Sequence, residues 1–596
     1  MLSARTFDPN YDGQTFDLSF GHTQRPWLVP LSATEASPFG PSSQGWRISE
    51  VQDAKAKANA ETSNGEADET VICHVAADGF EERMVPFPVP SGSYRDLAVV
   101  KDGVVWIEVA DRGGELGATR AGVTGEAPSD VLWHYNLSAR HLDKLCERVD
   151  TFSVSGDGER LVVRHRDDTI VVPSSHKVDD DDPAYIRVDL TRLRRTVNPR
   201  AEWRQMFDEN GRLMASHYWR EDMNGVDWDG VLNRYRPLVD LCHVVDDLHD
   251  ILWETVAELN TSHSYVSASG AAGDSDMRAG LLGADVSSGD DGARVVRVIP
   301  GESSDPRAWS PLRAAGVAVT EGDVIVAVDG RKVGADGNLG ELLEGSAGRV
   351  VELTVRRGEN ERQVAVVPMA DEAPLRYHDW VASRRRYVEE HSGGRLGYLH
   401  VPDMVSDGWA ELHRQIGEAT RHEGVIADVR FNHGGHTSQL VVERLARRVV
   451  GWDYSRWYAT ADTYPQNAVR GPIVMVTNQW AGSDGDIVAA ATQAMGYAKV
   501  IGERSWGGVV GIDGRFDLVD GTSVTQPRYA GWYGSYGWGV ENHGVDPDIV
   551  VTVSPEDWEA DRDVQLDAAI AECLRQLDDK PAATAPELPG PAFDRC

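Results

Sequence analysis

The sequence has few basic residues, few cysteines and no long apolar run. Lys and Arg total 59 against 95 Asp and Glu, so the formal net charge is −36. That charge repels nucleic-acid phosphates and anionic membrane surfaces, and we therefore expect neither as a partner. No window approaches the roughly 18 consecutive apolar residues of a membrane-spanning helix. The N-terminus lacks the basic and then apolar pattern of a secretory signal peptide.

The five cysteines are scattered, odd in number and without CxxC pairs; they are Cys73, Cys146, Cys242, Cys573 and Cys596. This pattern argues against a disulfide framework and against a structural zinc site. We expect a cytoplasmic protein that uses neither a metal nor an organic cofactor. A chain of 596 residues exceeds what one hydrophobic core usually serves, which predicts several domains.

Short alternating strands joined by Asp-Gly turns characterise residues 1–195, most clearly over 96–110 and 150–173. Such repetition suits a β-propeller, and the segment has room for part of a ring only. A partial β-propeller is the preferred interpretation, and a small β-sandwich stays open. From residue 196 to residue 272, apolar residues recur at steps of three and four, which predicts a helical bundle-like segment.

Residues 273–370 turn β-rich again and resemble a PDZ domain. The resemblance rests on SPLRAAGVAVTEGDVIVAVDGRKV, with AGLLGADV (residues 279–286) in the place of the carboxylate-binding loop. PDZ domains bind extended peptide tails and hold the terminal carboxylate with backbone amides. The alternative, that this domain is only a structural spacer, stays open.

Apolar strands alternate with helices over residues 371–580, which predicts an α/β domain with its site in loops at the strand ends. The Pro- and Ala-rich tail over residues 581–596 is predicted to be disordered. The fold class is therefore multidomain: a partial β-propeller, a helical segment, a PDZ domain and an α/β domain.

Ser483 is the strongest candidate for chemistry, in the segment TNQWAGSDGDIVAAATQAMG. A strand ends before it and a helix begins after it, so its hydroxyl projects from a tight bend beside free helix amides. A plain helix N-cap is the alternative. The segment DVRFNHGGHTSQ supplies Gly435, whose amide could form an oxyanion hole with that of Asp484. His433 and His436 flank this turn, but no third ligand spacing supports a metal.

The pattern R-x-N-x-G-G, followed further along by A-G-S-D-G-D, resembles the tail-specific and tricorn proteases. Tail-specific enzymes use a lysine on the helix after the serine, and Lys499 lies too far along for one helical face. Tricorn proteases instead take a Ser-His pair from a helical domain before the PDZ domain. ELNTSHSYV supplies that pair as Ser262 and His263, and Glu541 in YGSYGWGVENHGVDPDIVV matches the acidic member.

The resemblance implies that His263 takes the Ser483 proton, that Ser262 orients the imidazole and that Glu541 completes the relay, as in a catalytic triad. It also implies that Asp453 selects the substrate: a buried carboxylate there would favour Lys or Arg at the cleaved position, whereas the aromatic neighbours of Asp453 could equally line an apolar pocket. Two alternatives remain: Glu541 as a surface acid, and His543 as the base.

Tricorn proteases form hexameric rings and degrade oligopeptides, and they normally carry two propellers before this module. The resemblance therefore implies a shortened relative, a split product or a gene fragment. The preferred function is a serine endopeptidase acting through an acyl-enzyme on peptide substrates. Two others stay open: a catalytically inactive PDZ/protease-like peptide-binding scaffold, and a Ser–Lys tail-specific processing protease.

Overall fold

The computed structural model describes residues 1–6, 10–12, 17–32, 38–39, 75–78, 81, 83–110, 128–166, 168–269, 277–334 and 337–588. The chain divides into two compact units, Met1–Thr196 and Val197–Cys596. Among the described residues, no helix combines the length and the apolar character needed to cross a membrane.

The first unit consists of antiparallel β-sheets. Its strands are β1 (Leu2–Ala4), β2 (Asn10–Asp12), β3 (Asp17–Ser19), β4 (Gln24–Leu28), β5 (Val85–Pro86), β6 (Tyr94–Val100), β7 (Gly103–Glu108), β8 (Val131–Asn136), β9 (His141–Glu147), β10 (Thr151–Val154), β11 (Arg160–His165), β12 (Asp168–Pro173) and β13 (Ile186–Arg187). Two four-stranded sheets have the orders β6-β7-β8-β9 and β10-β11-β12-β13. In β11, buried Leu161 and Val163 alternate with exposed neighbours, as expected for a sheet with one covered face. Strands are thus present in both segments where the alternation predicts them.

The second unit opens with three helices, α1 (Pro199–His217), α2 (Trp228–Val239) and α3 (Val245–Ala257). Asn198 caps α1, with a proline at the first helical position, and the Asp227 carboxylate caps α2. The buried faces of the helices share one apolar cluster with Leu518 and Val524 from the α/β domain. The helical segment is thereby fixed against the region that contains the site.

The PDZ domain comprises β15 (Ala284–Gly289), β16 (Gly292–Val298), β17 (Val324–Val328), β18 (Arg331–Lys332), β19 (Val351–Arg357), β20 (Asn360–Val366) and a short helix α4 (Leu339–Leu342), with β14 (Val266–Ser267) preceding it. The strand order is β15-β16-β17-β19-β20, with β18 paired to β17. In the predicted carboxylate-binding loop, the Gly283 amide already donates to Glu372 Oε2 at 3.1 Å. Arg376 pairs with both Glu372 and Asp285. This loop is therefore occupied by a carboxylate of the same chain.

The α/β domain is built on a parallel sheet with the order β21-β22-β25-β26-β30. The sheet strands are β21 (Leu396–His400), β22 (Gly424–Asp428), β25 (Ile473–Thr477), β26 (Ala498–Gly502) and β30 (Ile549–Val550). In two-stranded antiparallel sheets, β23 (Gly451–Asp453) pairs with β24 (Asp462–Tyr464) and β27 (Gly511–Asp513) pairs with β29 (Gln526–Tyr529), while β28 (Ser523–Val524) pairs with β14. The helices are α5 (Ala373–His391), α6 (Ser406–Ala419), α7 (Ser438–Leu445), α8 (Asp484–Met495), α9 (Pro555–Glu559) and α10 (Val564–Asp579).

Helices cover both faces of this sheet, which explains the continuous apolar runs of its strands. Val425 and Ala427 of β22 pack towards α6, α7 and α8, whereas Ile426 packs towards α5 and α10. All five residues of β21, β22 and β25 are buried. The carboxyl ends of the parallel strands share one edge, and the turns after β22 and β25 contain Gly435 and Ser483.

Residues 581–588, within the tail predicted to be disordered, have no regular secondary structure. The Ala583 amide donates to the Arg470 carbonyl at 2.8 Å, and Ala582 packs against the apolar cluster under α5 and α10. Small side chains allow this segment to lie against the domain. Residues 589–596 of the predicted tail lie outside the described residues.

Candidate active site

Ser483 occupies the turn between β25 and α8 in a strained conformation. Its φ is 58° and its ψ is −120°, a region that side chains other than glycine rarely adopt. It stands at the N-cap position of α8, yet its side chain makes no capping hydrogen bond to the helix, whose first turn is fully described. The plain N-cap interpretation therefore does not account for this serine. The bend leaves the hydroxyl beside the amide end of a 12-residue helix.

Gly434 and Gly435 bring the turn after β22 against the nucleophile. A Cβ on Gly434 would lie 2.5 Å from the Ser483 Cβ, and one on Gly435 would lie 2.1 Å from the Met404 carbonyl oxygen. Their φ values of 77° and 149° also favour glycine. Only glycine permits so close an approach, which places the backbone at the Ser483 side chain.

The two amides predicted to form an oxyanion hole are both unengaged. Within residues 337–588, neither Gly435 N–H nor Asp484 N–H has a hydrogen-bond acceptor. The Asp484 carboxylate instead accepts from the Ser438 amide at 2.8 Å and from the Ser438 hydroxyl. Asn432 links the two turns, accepting from Gly434 N–H at 2.9 Å through its side chain and from Gly482 N–H at 3.0 Å through its carbonyl. The hydrogen bonds of Asn432 and Ser438 thus fix the two turns that carry the unengaged Gly435 and Asp484 amides.

Ser262, His263 and Glu541 are brought together although 279 residues separate Ser262 from Glu541. Ser262 Oγ lies 3.2 Å from His263 Nδ1 and donates to Glu541 Oε2 at 2.9 Å. The Ser262 amide donates to Glu541 Oε1 at 2.6 Å. Pairing of β14 with β28, and a bond from Tyr265 N–H to Thr525 Oγ1 at 2.7 Å, fix the segment after His263. The geometry forms a relay that orients the imidazole.

The sequence analysis missed a loop that joins this relay to the nucleophile helix, residues 505–510, here named the bridging loop. Gly507 and Gly508 amides donate to the Asp486 carboxylate of α8 at 2.8 and 3.2 Å. The next two amides, of Val509 and Val510, donate to Glu541 Oε2 at 2.8 and 2.9 Å. A signal existed in the sequence WGGVVG, because a glycine pair just after a strand resembles the one at Gly434 and Gly435.

Trp506 packs against both the turn that precedes Ser483 and the His263 ring. A Cβ on Gly482, the residue before the nucleophile, would lie 2.6 Å from the Trp506 ring. The same ring meets the His263 ring edge to face, with centroids 5.7 Å apart. Within the described chain, no hydrogen bond joins the Ser483 hydroxyl to the imidazole in this resting arrangement, a common condition of unliganded sites.

Burial shifts the pKa values of His263 and Asp486. Burial lowers the pKa of His263 below its usual 6.5, while the Glu541 charge and the Val510 carbonyl oppose the shift. Burial raises the pKa of Asp486 to about 6, against hydrogen bonds from Ser505 and the glycine amides that lower it. A neutral imidazole near pH 7 is the protonation state that a general base requires.

Three other candidates lie apart from this cluster. Asp453 is exposed on β23, and its described contacts are with β24, so the structure does not bury its carboxylate as expected. His543 is exposed and pairs with Asp546 at 2.8 Å. Lys499 lies in β26, 3.6 Å from Asp548, rather than on α8. Among the described residues, no group of three or more His, Cys, Asp or Glu could hold a metal, and this includes the surroundings of His433 and His436.

Comparisons with known proteins match three segments to family models. Residues 395–551 match Peptidase family S41, residues 280–371 the Tricorn protease PDZ domain, and residues 199–257 the Tricorn protease C1 domain. The predicted PDZ domain and serine peptidase domain of a multidomain chain are thereby confirmed.

The chain is also similar to whole proteins, of which it spans about half the length. It is 53% identical to Tricorn protease homolog 1 of Streptomyces coelicolor, over 99% of this chain and 54% of that protein. It is 32% identical to the Tricorn protease of Thermoplasma acidophilum, over 97% of this chain and 51% of that protein. A crystal structure of the tricorn protease superposes with a TM-score of 0.81 at 31% identity, covering 97% of this chain and 53% of that one.

Proposed function

The chain belongs to the tricorn protease family, as its motifs predicted, and on that premise we propose that it is a serine endopeptidase that cleaves oligopeptides through an acyl-enzyme. Ser483 is the proposed nucleophile and His263 the proposed general base. The observation that carries the proposal is the relay of Glu541, Ser262 and His263, which is tied by the bridging loop to the helix that begins after Ser483.

The first step forms the acyl-enzyme. Ser483 Oγ attacks the peptide carbonyl carbon while His263 accepts the hydroxyl proton. Because Ser262 engages Nδ1, the other ring nitrogen, Nε2, is the one left to accept that proton. The carbonyl oxygen becomes an oxyanion that the Gly435 and Asp484 amides stabilise. The tetrahedral intermediate then collapses, the C–N bond breaks, and His263 gives its proton to the leaving amine.

The second step releases the acyl group. Water replaces the amine, His263 takes a proton from it, and the resulting hydroxide adds to the ester carbon. Collapse of this second intermediate breaks the bond to Ser483 Oγ, which recovers the proton from His263. Glu541 keeps its charge throughout and acts through Ser262, since the Ser262 hydroxyl lies between the carboxylate and the ring. The chemistry needs no further group.

Labelling and turnover test the proposal together. A fluorophosphonate probe should modify wild-type protein at Ser483 and leave Ser483→Ala unlabelled, and peptide hydrolysis should fall on the order of 10³-fold or more in that variant. The control variant is Ser287→Ala, since Ser287 is exposed on the PDZ domain. Ser438→Ala would be unsuitable as a control, because the Ser438 hydroxyl donates to Asp484. Absence of labelling and of hydrolysis in wild type would instead favour the inactive peptide-binding scaffold.

Substrate selection by Asp453 is a separate proposal, supported by the family resemblance. Its exposed position leaves the carboxylate available to a basic side chain. Asp453→Asn should lower kcat/KM for peptides cut after Lys or Arg and leave peptides cut after an apolar residue unchanged. An equal effect on both peptide classes would remove Asp453 from this role.

The remaining proposals follow the family and concern the whole protein. We propose that the two four-stranded antiparallel sheets of the first unit are propeller blades, and that the chain assembles into a hexamer. A cytoplasmic location stays a prediction from the sequence. Sedimentation would measure the assembly, and its outcome is independent of the chemistry at Ser483.

A further inference from the structure

Asp486 joins the nucleophile helix to the bridging loop. It follows Ser483 by three residues, is completely buried, and accepts hydrogen bonds from Gly507 and Gly508 amides. A buried carboxylate is costly unless its oxygens are hydrogen-bonded. The glycine amides supply such bonds, and the Asp486 carboxylate thereby holds the first half of the bridging loop against α8.

The second half of the bridging loop holds the other end of the site. The Val509 and Val510 amides both donate to Glu541 Oε2, the same oxygen that accepts from Ser262 Oγ. Four consecutive amides are thus divided between two carboxylates, one on the nucleophile helix and one in the relay. Displacement of the two glycine amides therefore moves the two valine amides, and the reverse, because the four residues are consecutive in the chain.

The backbone of the bridging loop has little room to adjust. Gly507 has a φ of 92°, and a Cβ there would lie 2.4 Å from the Gly544 amide nitrogen. A Cβ on Gly508 would lie 2.3 Å from the Trp506 ring. Trp506 in turn packs on Gly482 and on the His263 ring. The loop therefore contacts both the turn of the nucleophile and the base.

We propose that Asp486 is a positioning residue of the active site: it anchors the bridging loop to α8, and the loop sets the place of His263 relative to Ser483. The inference rests on the proposed peptidase function. A misplacement of about 1 Å between reacting groups lowers rates by roughly 10²-fold. The loss should appear in kcat, because the completely buried Asp486 side chain is not accessible to a peptide.

The variants Asp486→Asn and Asp486→Ala remove one and both of the acceptor oxygens that hold the bridging loop. Asparagine keeps the side-chain volume and one acceptor oxygen, so it retains a bond to one of the two glycine amides and should lower kcat about 10-fold. Alanine removes both acceptors and should lower kcat about 10²-fold. Both should leave KM within about 3-fold. Asp323→Asn is the matched control, since Asp323 is 2% exposed and accepts an amide bond from Thr320 in the PDZ domain.

A double-variant cycle separates positioning from general destabilisation. If Asp486 and Glu541 act through one loop, Asp486→Asn combined with Glu541→Gln should lower kcat by much less than the product of the two single effects. Effects on the midpoint of thermal unfolding should not follow this pattern. Initial rates on a fluorogenic peptide and titration of labelled Ser483 give kcat per folded site.

Each outcome decides between the proposals. Unlabelled, inactive wild type overturns the peptidase proposal and this inference with it. Active wild type with Asp486→Asn and Asp486→Ala both within about 3-fold of the Asp323→Asn control overturns the inference alone. Multiplicative effects in the cycle also overturn it, as does failure of both Asp486 variants to fold, since the role would then be structural.

Discussion

Replacement of Glu541 by glutamine tests the relay through a change of one atom. The carboxylate accepts four hydrogen bonds, from the amide and hydroxyl of Ser262 and from the amides of Val509 and Val510. Three of these reach Oε2 and one reaches Oε1. A glutamine can offer one oxygen to the three donors, and its NH₂ group then faces the Ser262 amide.

The expected loss can be worked from that count. One buried donor left without an acceptor costs roughly 1–3 kcal/mol, which corresponds to about 5- to 150-fold in rate if it is expressed in the transition state. The three remaining bonds also lose their charge assistance and weaken. We therefore expect Glu541→Gln to lower kcat/KM by about 10- to 10²-fold. Because Glu541 raises the pKa of His263 against the effect of burial, its removal should lower that pKa further.

The assay is the pH dependence of kcat/KM on a fluorogenic peptide. The acid limb should move to lower pH in Glu541→Gln although the plateau falls, a combination that loss of folded protein does not produce. Glu258→Gln is the control, since Glu258 pairs with Arg234 on the surface of the helical segment. A plateau within about 3-fold of wild type, or an acid limb that moves to higher pH, would refute the relay.

Other outcomes concern separate contacts. Because the pKa of His263 is lowered and only the neutral ring accepts a proton, wild-type kcat/KM should rise with pH through a midpoint below 6.5, measured by initial rates; a midpoint above about 7 contradicts this. Gly435→Ala meets a carbonyl oxygen 2.1 Å away and should lower kcat about 10²-fold or more, whereas Gly417→Ala, with its nearest atom 3.8 Å away, should not. Glu372→Ala frees the Gly283 amide and should tighten binding of a peptide with a free C-terminus about 5-fold, but not of its amidated form, in fluorescence anisotropy; equal changes for both would exclude competition.

Much of the fold was predictable because local patterns determine it. Period-two alternation marked strands such as β11, and continuous apolar runs marked the buried strands of the parallel sheet. The position of Ser483 between a strand and a helix followed from the same reading. Its backbone strain did not, since φ at one residue depends on the turn before it and on the contact with Gly434.

The relay was found through motif resemblance and not through pattern, because its parts are far apart in the chain. No local signal connects Ser262 with Glu541, which are brought near each other by tertiary contacts such as the pairing of β14 with β28. The bridging loop was missed for a related reason. Its role lies in backbone amides, whose partners depend on tertiary contacts that side-chain identity does not encode. The exposure of the Asp453 side chain likewise could not be predicted from the sequence.

Hydrogen exchange of the bridging-loop amides can report on the order of the active site without any substrate. The amides of residues 507–510 donate to side-chain carboxylates rather than to a regular sheet. Their exchange with deuterated solvent therefore requires release of the loop from Asp486 or from Glu541, and its rate measures the free energy of that opening. Slow exchange at these four positions in the resting protein would mean that the active site is assembled before any peptide arrives, and fast exchange that the peptide must order it.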